Sequence, residues 1–475
     1  MEPTHDAQAN WNTGRLCTSA AASQDLFERL YDPKTHELSF NRRSPFWDAV
    51  AIAHDQGLRG GGRRIAVLDS GFDTDLKALD GAIAPESSLT AGTAQRKEHH
   101  GTLVAHLAHE VAPEAELILV DVAPRVDPFR PDVASALERI GKVDVDVINV
   151  SLEFPSDCPP RDTSVIDIDM LASAEPPEDE FVKQVRAWLT ITDPYAPGGC
   201  LRACPICAAV RTIPEHTLIV GAAGNVHERV CPASSERCLA LGFERQTMVT
   251  GEGGYILVKS LPENFRQTLL VELFVPQPEE LMGTSFAAPL AAGFGALVDD
   301  RDDFAYMARM PIAMSPLLKL TSLLRSLPKP WESPAVETLN KGFLTFAEAV
   351  PERHRHWSEE NPGPCATCSL FMVDWYNAFV TYLLLIAQSN RAAGLGATAA
   401  AVIPRSPDVA GNFGEALMRL SREHPEGSAE RHRLAVDALH SLDRTLALRP
   451  EAEIWQERRN ELLRREPWLH AAKAE

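Results

Sequence analysis

The feature that most constrains the fold is a series of short, continuously apolar segments separated by stretches with helical periodicity. The apolar segments read RIAVLDSG, AELILVDV, DVINVSL and TLIVGAAGN, and helix-like stretches such as HGTLVAHLAHEV and VASALERI lie between them. Strands that are buried on both faces are apolar throughout instead of alternating with polar residues. Their alternation with helices predicts an α/β fold with a mostly parallel sheet flanked by helices.

The pattern along the chain predicts three regions. Residues 1–44 are polar and mixed, and we interpret them as an N-terminal extension. The α/β pattern occupies residues 45–350, interrupted at about 155–210 by an acidic, proline-containing and Cys-rich insertion. Residues 365–475 are predicted to form an α-helical C-terminal domain. The run AVDALHSLDRTLALRPEAEIW weakly resembles a tetratricopeptide repeat, but no clean period of about 34 residues is visible, which favours a helical bundle over a repeat array.

Charge and hydropathy argue against several classes of partner. Asp and Glu outnumber Lys and Arg by 66 to 46, giving a formal net charge of −20, which repels nucleic acids and anionic membranes. The N-terminus lacks a basic segment followed by an apolar one, so no secretory signal is predicted. The longest apolar run, residues 369–387, contains Asp374 and Asn377 and predicts a buried helix, not a membrane span. We therefore expect a cytoplasmic protein that binds neither nucleic acid nor membrane.

Four polar motifs follow or interrupt the apolar segments. Asp69 lies in DSG, His100 opens HGTLVAHLAHEV, Asn225 closes GAAGN, and Ser285 lies in GTSFAAP before a run of small apolar residues. Each motif alone is ambiguous, because DSG is often a turn and a serine before a helix is often an N-cap. Amide hydrolysis by serine requires a base, an orienting carboxylate and oxyanion donors. Together, in this order, the motifs predict a catalytic constellation.

These motifs resemble the signature blocks of the subtilase family of serine peptidases, over residues from about 44 to 350. The spacing is similar too, with 31 residues from Asp69 to His100 and 60 from Asn225 to Ser285. The resemblance implies a subtilisin-like fold and a serine endopeptidase that cleaves protein or peptide substrates through an acyl-enzyme. It implies that Ser285 is the nucleophile, His100 the general base and then acid, and Asp69 its orienting partner. Asn225 is then the oxyanion donor, aided by the Ser285 backbone N–H.

The predicted substrate strand departs from the family pattern. In subtilases this strand begins Ser-Leu-Gly and pairs with the substrate backbone, whereas Glu153 stands here in place of the glycine. Glu153 either favours a basic residue in the first pocket, partly blocks the cleft, or points to solvent. The insertion that follows either gates access, recognises a partner or is an inert loop. The resemblance places the substrate contacts on Ser151, Leu152, Glu153, Ala222, Ala223 and Gly224.

The nine cysteines suggest one further site. Cys200 opens a C-x3-C-x2-C motif, and Cys365 and Cys368 form a separate CxxC pair. Paired thiols at such spacings suggest a structural zinc ion, the alternative being plain buried thiols. Catalysis itself is expected to need no cofactor, and no calcium-binding loop is predicted. The tentative zinc ligands are Cys204, Cys207, Cys231 and Cys238.

The absence of a recognisable inhibitory propeptide domain suggests restraint of another kind. We expect regulation by the insertion, by the C-terminal helices or by a protein partner that binds those helices. A different function is also open: a catalytically silent interaction module of subtilase fold, acting through its helical C-terminal domain. An esterase that uses the same three residues is a third interpretation.

Overall fold

The computed structural model describes most of two regions of the chain. These cover residues 45–72, 79–87, 100–122, 129–155, 204–222, 230–247 with gaps at 234, 236 and 244, 256–258, 269–271, 284–298 and 363–472, together with residues 15–16, parts of 31–38 and single positions between 304 and 344. The described residues form two compact units, one within the first 312 residues and one from residue 313 onward. The domain boundaries given by the sequence analysis remain a prediction.

The strands all belong to the first unit. In chain order they are β1 (Arg15–Leu16), β2 (Tyr31–Asp32), β3 (Glu37–Leu38), β4 (Arg64–Asp69), β5 (Glu116–Asp121), β6 (Val147–Val150), β7 (Leu152–Pro155), β8 (Leu218–Ala222), β9 (Val230–Cys231), β10 (Cys238–Phe243), β11 (Arg245–Thr247), β12 (Ile256–Val258) and β13 (Leu269–Val271).

The helices are divided between the units. The first unit contains α1 (Pro45–Asp55), α2 (His100–Val111), α3 (Phe129–Ile140), α4 (Pro205–Thr212) and α5 (Thr284–Leu297). The second contains α6 (Ala366–Phe371), α7 (Val373–Leu385), α8 (Ser389–Val402), α9 (Pro407–Arg422), α10 (Ala429–Leu448), α11 (Glu453–Arg465) and α12 (Leu469–Ala472).

The first unit is built on a parallel sheet of six strands in the order β13-β10-β8-β6-β4-β5. The four apolar segments of the sequence are β4, β5, β6 and β8, so the α/β prediction is confirmed. Their interior residues are almost completely buried, as expected for strands covered on both faces. Because the strands run in one direction, Asp69, Ser151 and Ala222 lie at the same, carboxyl edge of the sheet.

Two helices cover this sheet in close contact with each other. Helix α5 is apolar around its whole circumference and fully buried, and it packs against α2 as well as against β6 and β8. Gly293 allows the approach, because a Cβ atom there would lie 2.7 Å from the carbonyl oxygen of Ala108 on α2. The starts of α2 and α5 carry the two motifs that contain His100 and Ser285.

The second unit is helical in its described residues, as predicted. The apolar run at 369–387 forms buried helix, and Trp375, Tyr376 and Tyr382 are almost fully inaccessible. The continuous helix expected over this region is divided, however, since α6 ends before Met372 and α7 begins after it. Helix α7 itself ends at Leu385, and Ala387 then adopts a positive φ of 56°, which an α-helix does not accommodate.

No helix in the described part of the chain combines the length and the apolar character needed to cross a membrane.

Candidate active site

Asp69 ends strand β4 and is completely buried. Its Oδ1 atom accepts a hydrogen bond from the backbone N–H of Ser70 at 2.6 Å and lies 2.7 Å from Nδ1 of His100. A buried carboxylate is costly unless it is paired and hydrogen-bonded. The Asp69–His100 contact supplies that partner and fixes the orientation of the imidazole.

The first turn of α2 is tied to the end of β4 by backbone contacts. The Gly101 N–H donates to the carbonyl oxygen of Ser70 at 2.7 Å, and the Thr102 hydroxyl donates to that of Gly71 at 3.1 Å. A Cβ atom at Gly101 would lie 2.7 Å from the Ser70 carbonyl oxygen, so this approach needs glycine. The HGT motif therefore holds His100, the first residue of α2, directly against Asp69.

The second ring nitrogen of His100 is available for chemistry. Nε2 is buried and has no hydrogen-bond partner among the described residues. Because the carboxylate of Asp69 accepts a hydrogen bond from the Nδ1–H group, the neutral ring carries its lone pair on Nε2. The ring of Phe286 lies 5.7 Å from the imidazole, centroid to centroid, so the start of α5, which also bears Ser285, packs against the start of α2.

Ser285 is the second residue of α5 and is completely buried. Its hydroxyl donates to the carbonyl oxygen of Ser151 at 2.9 Å, and the Ser151 hydroxyl donates back to the carbonyl oxygen of Ser285 at 2.9 Å. Pro289 explains why that carbonyl is free, because it stands four residues later and has no N–H to donate. The proline of GTSFAAP thus leaves an acceptor that fastens the helix to the sheet edge.

Asn149 is a residue of the site that the sequence analysis missed. It lies in β6, is completely buried, and donates from Nδ2 to the Ser151 hydroxyl oxygen at 2.9 Å. A signal was present, since Asn149 is the polar residue of the otherwise apolar strand VINV. A buried amide in such a strand requires a hydrogen-bonding partner, and Ser151 provides it.

The Ser285 hydroxyl is therefore bonded to Ser151 and not to His100 in this conformation. For His100 Nε2 to accept its proton, the Ser285 hydroxyl must first give up this hydrogen bond. A neutral hydrogen bond contributes about 0.5–1.5 kcal/mol net, which is a small barrier to the exchange of acceptors. The geometry joins Asp69 to His100 and leaves the Ser285 hydroxyl directed at the Ser151 carbonyl.

The predicted substrate contacts are described in part. Ser151 and Leu152 are buried at the junction of β6 and β7, and Ala222 is buried at the end of β8. Glu153 lies in β7, but its side chain is outside the described part. Ala223, Gly224 and Asn225 also fall outside the described residues, so the oxyanion role of Asn225 stays a prediction.

Strand β7 has a neighbour on each edge. On one side it pairs antiparallel with β1, where Leu16 lies opposite Leu152 and Arg15 opposite Glu153. On the other side it pairs antiparallel with β9, where Phe154 lies opposite Cys231. Both hydrogen-bonding edges of the strand next to Ser151 are thus occupied by the chain itself.

Three of the four tentative zinc ligands lie together. Cys231 Sγ is 3.4 Å from Cys204 Sγ and 3.3 Å from Cys207 Sγ, and all three sulfurs fall within 4.8 Å of one another. Hydrogen bonds with Cys207 and Cys231 lower the pKa of Cys204, whereas hydrogen bonds with Cys204 and Cys231 raise the pKa of Cys207. The structure does not bring Cys238 into this group, because it lies on β10, packed against Gly221 of the neighbouring strand. Cys200 is outside the described residues.

The CxxC pair of the second unit stands at the start of α6. The sulfur atoms of Cys365 and Cys368 are 2.7 Å apart, and Cys365 Sγ accepts from the Cys368 backbone N–H at 3.1 Å. Both residues are buried. In this position Cys365 caps the short helix.

An α/β fold with a buried Asp–His pair beside a serine at a helix start is of the kind found in serine hydrolases. The sequence model described as the subtilase family matches residues 60–316, which is more than half of the chain. The chain belongs to the subtilase family. A search of curated proteins gives no significant match.

Among solved structures, the chain is similar to three proteases at low sequence identity. A lanthipeptide protease is 14% identical, over 58% of this chain and 87% of that one, with a TM-score of 0.31. MycP1 with its N-terminal propeptide removed is 17% identical, over 57% and 90%, with a TM-score of 0.31. The Aeromonas sobria serine protease in complex with its chaperone ORF2 is 17% identical, over 54% and 51%, with a TM-score of 0.30. At such scores the family assignment rests on the sequence match alone.

Proposed function

We propose that this chain is a serine endopeptidase that hydrolyses peptide bonds of protein substrates through an acyl-enzyme on Ser285. The observation that carries the proposal is the buried contact between His100 Nδ1 and Asp69 Oδ1 at 2.7 Å. It leaves Nε2 of His100 without a partner among the described residues, next to the helix start that bears Ser285. Membership of the subtilase family supports the same assignment.

The chemical steps follow from these positions. The Ser285 hydroxyl turns from the Ser151 carbonyl to His100, and Nε2 takes its proton as Oγ attacks the substrate carbonyl carbon. When the tetrahedral intermediate collapses, the C–N bond breaks and His100 returns the proton to the leaving amine. Water then attacks the ester with His100 again as base, releasing the acid and restoring Ser285. Asp69 stays ionised and holds the imidazolium in place.

The oxyanion needs hydrogen-bond donors at the moment when charge develops. The backbone N–H of Ser285 is one of the first four of α5 and has no acceptor within the helix, so it meets this need together with the helix dipole. The family resemblance assigns the second donor to the side chain of Asn225. Removal of a side-chain donor of this kind costs about 10²–10³ in kcat, a magnitude measured in another subtilase.

Substrate binding in this proposal requires a change at β7. A peptide that presents its carbonyl carbon to Ser285 would extend along the strand that follows Ser151. Since β9 and β1 occupy its two edges, the substrate pairs with β7 only after one of them leaves. Both neighbours are two-residue strands, but Cys231 of β9 is completely buried in the core, so we take β1 as the strand that leaves. We therefore include restraint by residues 15–16 in the proposal.

The cellular role is a further part of the proposal. We propose a regulated protease of the cytoplasm, whose helical second unit binds a partner that controls access to the site. In support, no disulfide joins the six cysteines in the described part of the chain, the usual state in a reducing compartment. Most of the insertion, which we also consider a regulatory element, lies outside the described residues, which resume at Cys204.

One observation favours the alternative of a silent interaction module. The Ser285 hydroxyl bonds the Ser151 carbonyl, and His100 Nε2 does not engage it. Hydrolysis of an unfolded protein separates the two functions when full-length protein, a variant lacking residues 1–20 and the same variant with Ser285→Ala are compared. The peptidase proposal predicts hydrolysis by the truncated protein that Ser285→Ala abolishes. The silent module would be favoured if none of the three proteins hydrolysed the substrate. It would also be favoured if the protein with Ser285→Ala hydrolysed it as fast as the other two.

A further inference from the structure

A compact group of three thiols lies beside the strand that adjoins Ser151. Cys204 immediately precedes α4, Cys207 lies in its first turn, and Cys231 belongs to β9. Cys207 and Cys231 are completely buried, whereas Cys204 is partly exposed. The three residues come from two segments that are separate in the sequence, so the fold itself assembles the group.

The spacing of the sulfurs is close to that of a metal-thiolate site. Zn–S bonds of about 2.3 Å in tetrahedral geometry place sulfur atoms roughly 3.8 Å apart. The contacts of 3.3 Å and 3.4 Å from Cys231 need to open by only a few tenths of an ångström to accept the ion. A disulfide would instead require a sulfur–sulfur distance of about 2.0 Å.

The donor set also selects the class of ion. In the part of the chain that the structure describes, the group consists of cysteines alone, since no carboxylate or imidazole joins the three sulfurs within 4.8 Å. Calcium and magnesium prefer oxygen ligands, whereas thiolates favour zinc and other soft ions. Cys204 is the least buried residue of the three.

We propose that Cys204, Cys207 and Cys231 bind a zinc ion through three thiolates. The fourth position of the tetrahedron is then filled by a ligand other than Cys238, which lies on β10 away from the group. The ion joins the start of α4 to β9. Through the pairing of Cys231 with Phe154, it also braces β7, the strand next to Ser151. Zinc therefore has a structural role at the edge of the candidate cleft, whatever the activity of Ser285.

The test uses the full-length protein with zinc alone as the probe. Protein that has been stripped with a chelator and reduced is titrated with zinc, and bound metal is counted by mass spectrometry of the native protein. We expect about one zinc per chain, with X-ray absorption showing sulfur at about 2.3 Å. Cys204→Ser, Cys207→Ser and Cys231→Ser should each lower the affinity by tenfold or more. Cys238→Ser and Cys365→Ser are matched controls that replace buried thiols outside the group and should keep wild-type affinity.

Alkylation of the wild-type protein provides a readout that does not depend on folding of a variant. Zinc should slow the modification of Cys204 at least tenfold while leaving that of Cys365 unchanged, and a chelator should reverse the protection. The proposal is overturned by any of three results: no zinc on the reduced protein, loss of zinc in Cys238→Ser, or a disulfide within the group in the protein as purified. Failure of peptidase activity would not affect this test, because binding is measured directly.

Discussion

Ser151 and Ser285 exchange two hydrogen bonds, each hydroxyl donating to the carbonyl oxygen of the other residue at 2.9 Å. Pro289 makes the exchange possible by leaving the Ser285 carbonyl without a donor from the helix. Asn149 donates to the Ser151 hydroxyl and fixes it from the sheet side. The candidate nucleophile is thus held at the carboxyl edge of the sheet by its hydrogen bond to the Ser151 carbonyl.

Ser151→Ala should lower both stability and reactivity. Loss of the hydroxyl leaves the Ser285 carbonyl and the Asn149 amide without their partner, both buried, which costs about 1–3 kcal/mol of the free energy of unfolding. Denaturant unfolding measures this cost. The rate of reaction with a serine-directed probe, per folded molecule, should also fall, because the start of α5 is no longer fastened.

Thr217→Val is the matched control for that substitution. It removes a buried hydroxyl that donates to the Val145 carbonyl at 3.0 Å, at the amino end of β8 and so at the opposite edge of the sheet. We expect a comparable loss of stability and an unchanged probe rate. Equal probe rates for Ser151→Ala and wild type would contradict the positioning role of Ser151.

Asp69→Asn should leave the fold intact and remove most of the activity. The amide that replaces the carboxylate cannot hold His100 in the tautomer with its lone pair on Nε2, and such a change lowers kcat on the order of 10⁴-fold. Steady-state hydrolysis by the truncated protein is the measurement. Asp146→Asn serves as control, since Asp146 accepts from the Arg64 N–H at 2.8 Å at the far edge of the sheet. A variant Asp69→Asn that kept a tenth of the activity would exclude the proposed role.

Gly293→Ala should destabilise the first unit. The new Cβ would lie 2.7 Å from the Ala108 carbonyl oxygen and 2.7 Å from Cβ of Val111, and overpacking of this kind costs about 1–3 kcal/mol. Gly394→Ala is the control, because nothing lies within 4 Å of its Cβ position on α8. There the change should stabilise the helix by up to about 1 kcal/mol. The midpoint temperature of thermal unfolding should fall for Gly293→Ala and rise for Gly394→Ala. Equal shifts in the two variants would contradict the packing of α5 on α2.

Removal of residues 1–20 should increase activity. The truncation frees the edge of β7 that β1 occupies, so an extended peptide can pair there. A protein that lacks only residues 1–12 is the matched control, because it retains Arg15 and Leu16. We expect faster peptide hydrolysis from the longer truncation only. Identical rates for both truncations and the full-length protein would rule out restraint by β1.

Local patterns of the sequence predict the sheet and the approximate place of the site. The segments that form β4, β5, β6 and β8 are continuously apolar because these strands are buried on both faces. This pattern can be recognised in the sequence without knowledge of the tertiary structure. The contact between Asp69 and His100 could be anticipated from the ends of these segments and from the family resemblance. Each motif can be recognised from residues that are close together in the sequence, and the family resemblance supplies their combination.

The features that escaped prediction depend on contacts between distant residues. The pairing of Leu16 with Leu152 joins a two-residue strand to a segment far along the chain, and no local pattern specifies it. The position of Cys238 outside the thiol group follows from strand order, which spacing alone does not give. Asn149 is part of the site only because β6 brings it next to Ser151. The division at Met372 reflects backbone angles that the apolar periodicity does not encode.

The central claim, that Asp69, His100 and Ser285 form a working nucleophilic site, is tested most directly by covalent labelling. A fluorophosphonate probe is added to the protein lacking residues 1–20 and to the same protein with Ser285→Ala, and the modified residue is located by peptide mass spectrometry. The account predicts labelling of Ser285 that is absent in the variant and strongly slowed by Asp69→Asn. Folded protein that remains unlabelled, or that is labelled equally after Ser285→Ala, would contradict it.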